Sequence, residues 1–184
     1  EAKRLGIKYL SFWGFSTDNW KRDKKEQDEI FSLISDTIEK LDKDFLKNKI
    51  GFKHLGRKDR LPKKLLTEIG KLENKTKDFK DFNVQLCLDY GGKDEIIRAV
   101  NAVLISGKKE IDESSFSKLL DTRDIPDVDL IIRTSGEHRT SGFMSFQSVY
   151  AELYFTDLYF PDFDSEELRK AVEEFRERKR RFGK

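Results

Sequence analysis

The chain has 184 residues, of which 39% are charged and 36% are hydrophobic, and its formal net charge is +2. This length favours a single domain with a real core, and the near balance of charge gives no bulk reason to expect a nucleic-acid partner. The single cysteine, Cys87, excludes an intramolecular disulfide and a cysteine-only zinc site, which suits the reducing cytoplasm.

Short apolar runs alternate with stretches of helical periodicity along the chain. The apolar runs predict strands over residues 7–15, 50–55, 83–89, 128–133 and 151–156. The periodic stretches predict helices over residues 24–47, 62–78, 92–105, 115–121 and 165–180. This alternation predicts an α/β fold, in which a mostly parallel central sheet is covered by helices and ligands bind at the carboxyl ends of the strands.

A polar segment, FSTDNWKR, follows the first predicted strand and leads into the first helix. It contains Ser16, Asn19, Trp20 and Arg22 at a strand-to-helix connection, where a parallel sheet places its ligands. The residues alone leave a plainer interpretation open, in which Trp20 is a core anchor and Arg22 is a solvated side chain.

The next two strands end in segments with a weaker signal. The second strand contains His54, which we interpret as a structural histidine, and it leads to a basic loop that contains Arg60. The third strand leads to DYGGKDEI, in which two glycines mark a tight turn before a helix. A lone pair of glycines is weak evidence for phosphate binding, so we interpret this segment, including Asp89, as mainly structural.

The strongest signal lies between the fourth and fifth strands. Arg133, Arg139 and Ser141 lie there in a loop that is rich in small residues. A guanidinium group matches two phosphate oxygens, and small neighbours let backbone N–H groups join the contact, so this loop predicts an anion site. Glu152, inside YAELYF, is a carboxylate that could hold Mg²⁺ beside bound phosphates. Spacing alone leaves open an ordinary loop with surface arginines and a solvated glutamate.

Several of these segments resemble the cis-prenyltransferases, the undecaprenyl diphosphate synthase family. In that family RTSGE-x-R-x-S-x-F precedes Q-x-x-YAELYFTD and a W/F-PDF, and residues 133–163 are similar to this pattern. Residues 15–22 resemble the family's F-S-x-E-N-W-x-R, with Asp18 in place of Glu. The family's N-Y-G-G-R-x-E-I is similar to the segment after the third strand, where Asp89 replaces Asn and Lys93 replaces Arg.

The resemblance implies an enzyme that condenses isopentenyl diphosphate with an allylic diphosphate of the farnesyl or geranylgeranyl class. The product would be a polyprenyl diphosphate, the precursor of a lipid carrier for cell-envelope glycan synthesis. Arg133, Arg139 and Ser141 would hold isopentenyl diphosphate. Arg22 and Arg60 would bind the allylic diphosphate, since the family's I-G-x-x-x-R-L-P places an arginine at the position of Arg60.

The resemblance also implies catalytic roles for Ser16, Asn19 and Trp20, and a Mg²⁺ cofactor held in part by Glu152. Dimers of the family carry an R-x-G near the C-terminus that reaches the partner's active site. Here Arg181-Phe182-Gly183 matches that motif, which implies a homodimer with Arg181 and Gly183 at the substrate. We expect a cytoplasmic enzyme, associated with the inner face of the membrane through its lipid product, that does not bind nucleic acid.

One family motif is not found in the sequence. The phosphate loop D-G-N-G-R-W-A, whose aspartate is associated with Mg²⁺ in the family, does not occur in residues 1–184. We therefore expect that these residues form a single catalytic domain without its N-terminal strand and phosphate loop, and that they do not catalyse the condensation by themselves.

Two other functions stay open from the sequence. A non-catalytic partner subunit of a prenyltransferase would lack the substrate-binding arginines, so the retention of Arg133 and Arg139 argues against it. A basic nucleic-acid-binding domain would use the C-terminal RKRRFGK, and its affinity would fall steeply as the salt concentration rises.

Overall fold

The computed structural model describes residues 1–178. The chain divides into two compact units. The first is Lys8–Arg123, and the second combines Glu1–Ile7 with the chain from Asp124 onward. The single domain expected over residues 1–184 stays a prediction.

The larger unit, Lys8–Arg123, is built on a parallel sheet of three strands. Its strands are β1 Tyr9–Ser16, β2 Gly51–Leu55 and β3 Asn83–Tyr90. The strand β3 lies in the centre, so that Phe12 of β1 and His54 of β2 both pair with Leu86 of β3. Because all three strands run in the same direction, their carboxyl ends meet at one edge of the sheet.

Helices follow the strands of this unit and cover its core. Their bounds are α1 Lys24–Lys47, α2 Lys63–Thr76, α3 Gly92–Ile105 and α4 Glu113–Ser117. The apolar stripes of α1 and α2 meet residues of the sheet in one cluster of buried side chains, which contains Phe15, Phe31, Ile38, Phe45, Phe52, Leu61, Leu65, Ile69, Leu72 and Leu88. Burying one such side chain stabilises the fold by roughly 1.5–3 kcal/mol relative to leaving it exposed.

The smaller unit contains a pair of parallel strands and a longer helix. Its elements are β4 Leu130–Arg133, β5 Glu152–Phe155 and α5 Ser165–Glu177. Asp164 caps the start of α5, and its side chain accepts hydrogen bonds from the backbone N–H groups of Glu166 and Glu167. Within residues 1–178, no helix combines the length and the apolar character needed to cross a membrane.

The α/β class and the parallel pairing predicted from the sequence are confirmed, and the pairs form one sheet of three strands and one of two. Two helices differ from their predicted bounds by three or more residues at the C-terminal end. The helix expected over residues 115–121 lies at Glu113–Ser117, because Asp112 accepts the N–H of Ser115 and starts the helix earlier. The helix expected to reach residue 180 ends at Glu177, because the backbone of Arg178 is already extended.

His54 has the structural role that its position in a strand predicts. It is 5% exposed, and its Nε2 lies 3.0 Å from the carbonyl oxygen of Leu88. With its proton on Nε2, the ring donates a hydrogen bond to that carbonyl oxygen, while Nδ1 has no hydrogen-bond partner among the described residues. Burial lowers the pKa of His54 below its ordinary value of 6.5, because the charged imidazole would lose its hydration.

Neutral His54 makes the stability of the fold depend on pH. The pKa is lower in the folded chain, so the unfolded chain takes up its proton first as the pH falls through 6.5. We therefore expect the free energy of unfolding to fall between about pH 7.5 and about pH 5.5. In His54→Gln that fall should be smaller, because the Gln Nε2 can still donate to Leu88 without titrating.

Urea unfolding at the two pH values measures this effect. His138→Gln is the matched control, because it makes the same substitution at an exposed histidine. The same pH dependence in His54→Gln and in the wild type would contradict the prediction.

Candidate active site

The strand β1 runs directly into a short 3-10 helix, Thr17–Lys21. The side-chain oxygen of Asn19 accepts a hydrogen bond from the backbone N–H of Ser16 at 2.8 Å. The backbone N–H of Arg22 donates to the carbonyl oxygen of Asn19 at 3.1 Å. These bonds close the turn, so that Ser16, Asn19, Trp20 and Arg22 are held at the carboxyl end of β1, where the sequence predicts ligand groups.

Trp20 and Arg60 come together although they lie in separate segments of the sequence. The ring of Trp20 packs against Phe15 and Phe31, with centroids 5.3 Å and 5.6 Å away. The guanidinium carbon of Arg60 lies 5.3 Å from the centroid of the Trp20 ring. This distance is within the range of a cation–π contact, so the aromatic face also supports the charge of Arg60.

Asp89, at the carboxyl end of β3, joins these two residues. It is fully buried, and its Oδ1 accepts a hydrogen bond from Nε1 of Trp20 at 2.8 Å. Its Oδ2 accepts from Nε of Arg60 at 2.8 Å, and Nη2 of Arg60 donates to Oδ1. Sequence reasoning missed this role and treated the segment as mainly structural. The sequence feature that could have indicated this role is the position of Asp89, an acidic residue at the end of a predicted parallel strand.

Arg22 makes a different contact. Its Nη1 donates to Oε1 of Glu26 at 2.6 Å, and both side chains are about half exposed, at 45% and 50%. An exposed ion pair of this kind contributes only about 0.2–1 kcal/mol. A diphosphate could therefore take the guanidinium of Arg22 from Glu26 at small cost.

In the smaller unit, the loop after β4 holds the residues of the predicted anion site. Nη1 of Arg133 donates to Oγ of Ser141 at 3.1 Å, so the structure brings these two predicted residues together. Arg139 instead pairs with Glu137, and both of these side chains are exposed. Arg133 and Ser141 are thus next to each other, whereas Arg139 is held by the carboxylate of Glu137.

The same loop is fastened to the segment that follows β5. The backbone N–H of Ser135 donates to the carbonyl of Leu158 at 2.7 Å, and that of Gly136 donates to Thr156 at 3.0 Å. Gly136 has a φ of +67°, and a Cβ there would lie 3.2 Å from the carboxylate of Asp157. Glycine suits both the left-handed backbone and the close approach.

Glu152, the predicted metal ligand, forms an ion pair at the start of β5. Its Oε2 accepts from Nη1 of Arg178 at 2.9 Å. Arg178 also donates to the carbonyl of Leu153 at 2.9 Å and to Glu174 at 2.5 Å. Its hydrogen bonds to Glu174 and Glu152 raise the pKa of Arg178.

This arrangement limits how Glu152 could hold Mg²⁺. No group of three or more His, Cys, Asp or Glu residues that could hold a metal occurs in residues 1–178. Mg²⁺ usually binds one or two carboxylates and completes its shell with water and substrate phosphates. Glu152 fits as one such carboxylate, provided that Arg178 gives up the oxygen it now contacts.

The predicted site residues thus form two groups, one in each unit. Ser16, Asn19, Trp20, Arg22 and Arg60 lie in Lys8–Arg123, while Arg133, Arg139, Ser141 and Glu152 lie in the smaller unit. The remaining two, Arg181 and Gly183, lie outside the described residues.

Comparison with known proteins gives a consistent result. Residues 1–183 match the family described as undecaprenyl diphosphate synthase. The isoprenyl transferase of Fusobacterium nucleatum subsp. nucleatum is 45% identical over 179 residues, which cover 97% of this chain and 77% of that protein.

Two solved structures share the fold over the whole chain. A probable undecaprenyl diphosphate synthase from Campylobacter jejuni matches with a TM-score of 0.91 and 37% identity, over 100% of this chain and 86% of that chain. Lavandulyl diphosphate synthase from Lavandula x intermedia, solved with dimethylallyl diphosphate, matches with a TM-score of 0.94 and 34% identity, over 100% and 82% of the two chains. This chain therefore belongs to the undecaprenyl diphosphate synthase family, and it is a prenyl transferase of the cis-elongating class.

Proposed function

We propose that this protein condenses isopentenyl diphosphate with an allylic diphosphate of the farnesyl or geranylgeranyl class. The product would be a polyprenyl diphosphate, a precursor of the lipid carrier for cell-envelope glycans. The observation that carries this proposal is the fastened loop after β4, in which Arg133 and Ser141 are in contact. Work at the cytoplasmic face of a membrane, where such a product would accumulate, stays a prediction.

The loop after β4 has the donors that a diphosphate needs. Nη1 of Arg133 donates a hydrogen bond to Oγ of Ser141 at 3.1 Å. Both side chains can turn to the oxygens of isopentenyl diphosphate without unfolding the loop. Arg139 would exchange the exposed carboxylate of Glu137 for the more highly charged diphosphate. Charge-assisted hydrogen bonds from guanidinium to phosphate are the strongest that such a loop can make.

Arg60 and Arg22 supply the cations for the allylic diphosphate. In the reaction the bond between the allylic carbon and the diphosphate oxygen breaks, and the double bond of isopentenyl diphosphate attacks that carbon. A proton is then lost to give the new Z double bond. Negative charge grows on the departing diphosphate, so guanidinium groups that are already oriented stabilise the transition state more than the ground state. Ser16, Asn19 and Trp20 would organise the turn that borders Arg60.

We further propose that Glu152 shares a Mg²⁺ ion with bound diphosphate. The support is the chemistry of Glu152 itself, a carboxylate of the kind that Mg²⁺ binds together with substrate phosphates. When bound, the ion would offset the charge of the diphosphate. Arg178 must leave Oε2 of Glu152 for this, and the pair is only partly buried, with side chains 30% and 31% exposed.

A homodimer is also part of the proposal. Large apolar and aromatic side chains of the smaller unit stand exposed around β5, namely Val149, Tyr150, Tyr159 and Phe160, at 75%, 63%, 67% and 61%. Apolar surface that is exposed to this extent often marks an interface. A second copy of the chain would bury it, and Arg181 and Gly183 would then reach the partner's substrate.

Arg139→Ala tests the diphosphate loop. We expect isopentenyl diphosphate to bind more weakly by about 2–3 kcal/mol, the value of one or two charge-assisted hydrogen bonds. The KM for isopentenyl diphosphate and the turnover of the full-length protein measure this. Arg169→Ala is the control, since Arg169 is an exposed residue of α5 in an ion pair with Glu166. An unchanged KM and turnover in Arg139→Ala would remove this loop from the site.

Metal binding tests Glu152 without an activity assay. Mn²⁺ can stand in for Mg²⁺, and its binding in the presence of isopentenyl diphosphate can be followed by electron paramagnetic resonance. Glu152→Gln should weaken Mn²⁺ binding. Arg178→Met should strengthen it by about 1.4- to fivefold, because an ion pair of about 0.2–1 kcal/mol no longer competes.

Arg176→Met is the control for Arg178→Met, because Arg176 lies in the last turn of α5, close to Arg178 in the chain, and donates to the carbonyl of Leu5 rather than to Glu152. The metal assignment is wrong if Glu152→Gln binds Mn²⁺ like the wild type.

Sedimentation at micromolar concentration tests the dimer. We expect a dimer in the wild type and a shift towards monomer in Val149→Asp, because a charge would then be buried in the interface. Leu33→Asp, at a comparably exposed position of α1, should leave the dimer intact. Removing residues 181–184 should lower activity without changing the dimer. A fully active monomer is the contrary result.

A further inference from the structure

Asp89 is the buried charge around which the larger unit's candidate site is arranged. It is 0% exposed, and its two oxygens accept hydrogen bonds from Nε1 of Trp20 and from Nε and Nη2 of Arg60. Burying an isolated carboxylate is costly, and these donors replace the hydrogen bonds to water that it loses inside the fold. The position of Arg60 and Trp20 is therefore tied to one residue.

The backbone around Asp89 holds the same geometry. Asp89 has a φ of +49°, in the left-handed region that non-glycine residues rarely adopt. Its carbonyl oxygen accepts the N–H of Arg57 at 3.1 Å. Gly56 has a φ of +118°, and a Cβ there would lie 2.2 Å from the carbonyl oxygen of Leu88. The segment that leads to Arg60 is thus pressed against the end of β3.

The guanidinium group of Arg60 contacts Asp89 along one edge, and its other edge is available to a ligand. A guanidinium group carries its hydrogens on a planar fork, and Asp89 takes the edge formed by Nε and Nη2. The opposite edge, which includes Nη1, faces away from the carboxylate. Arg60 is 38% exposed at its side chain although Asp89 is fully buried. The free edge is therefore the part of the cluster that can meet an anion.

We propose that Asp89 is a positioning residue for the allylic diphosphate: it fixes the direction in which Arg60 presents its outer edge, with Trp20 as the supporting face. This inference rests on the proposed function, in which Arg60 binds the departing diphosphate. Asp89 also offsets the charge of Arg60, so the cluster works through the orientation of its donors rather than through net positive charge.

Asp89→Asn separates orientation from charge. Asparagine is similar in size and tolerates a left-handed backbone, but its NH₂ group cannot accept one of the hydrogen bonds from Arg60 or Trp20. The change makes the site more positive by one charge. Simple electrostatic attraction would then improve the use of the allylic diphosphate, whereas loss of orientation would impair it.

The experiment measures steady-state kinetics of the full-length protein, with both substrates varied, in Asp89→Asn, Arg60→Met and the double variant. We expect Asp89→Asn to lower kcat/KM for the allylic diphosphate about tenfold, the size of coupling between residues in direct contact. The KM for isopentenyl diphosphate should stay within about twofold. In the Arg60→Met background, Asp89→Asn should cause little further loss. Asp59→Asn, an exposed carboxylate that pairs with Arg57, is the matched control.

Arg60→Lys is a second route to the same conclusion if Asp89→Asn does not fold. A lysine keeps the charge but cannot bridge both oxygens of Asp89 through a planar fork. Arg60→Lys should therefore lower kcat/KM for the allylic diphosphate about as much as Asp89→Asn does. A wild-type value of kcat/KM in Arg60→Lys would overturn the inference.

The outcomes distinguish the inference from the function on which it rests. If Arg60→Met is impaired and Asp89→Asn is not, the positioning role is wrong while the role of Arg60 stands. A full additional loss from Asp89→Asn in the Arg60→Met background would also overturn it, because Asp89 would then act through something else. If Arg60→Met equals the wild type, the assignment of Arg60 in the proposed function is itself wrong, and the inference falls with it.

Discussion

The central position of β3 between β1 and β2 is the constraint on which the larger unit depends. Parallel pairing on both sides brings the end of each strand to the same edge of the sheet. The end of β3 carries Asp89, a buried carboxylate, and the segments after β1 and β2 carry Trp20 and Arg60, which donate to it. A sheet with another strand order would leave that carboxylate without its partners, so the topology and the polar cluster stabilise each other.

In the smaller unit, polar side chains are positioned by backbone hydrogen bonds rather than by a buried carboxylate. Its loop after β4 is fastened by backbone hydrogen bonds from Ser135 and Gly136 to the segment after β5. Left-handed residues let the chain turn sharply enough for Arg133 to meet Ser141. Preorganised donors of this kind need little rearrangement when an anion arrives.

Ion pairs hold several of the candidate functional cations. Arg22 contacts Glu26, Arg139 contacts Glu137, and Arg178 contacts the carboxylate of Glu152. All three pairs are at least partly exposed, so water screens them and exchange for a diphosphate or a metal ion costs little. The pair of Arg60 and Asp89 differs, because its carboxylate is fully buried and its removal leaves unsatisfied groups.

The sequence by itself determined the α/β class, the approximate position of each strand and longer helix, and the family. Hydrophobic periodicity and long motifs such as RTSGE and YAELYFTD carry that information locally. It also identified Arg133 and Ser141 as candidates, because their residue types suit phosphate, and the resemblance to the family added Arg60. The tertiary structure alone decided that Asp89 joins Trp20 to Arg60, and that Arg178 occupies an oxygen of Glu152. These contacts link residues far apart in the chain, and they depend on strand order, register and side-chain direction, which local patterns do not contain.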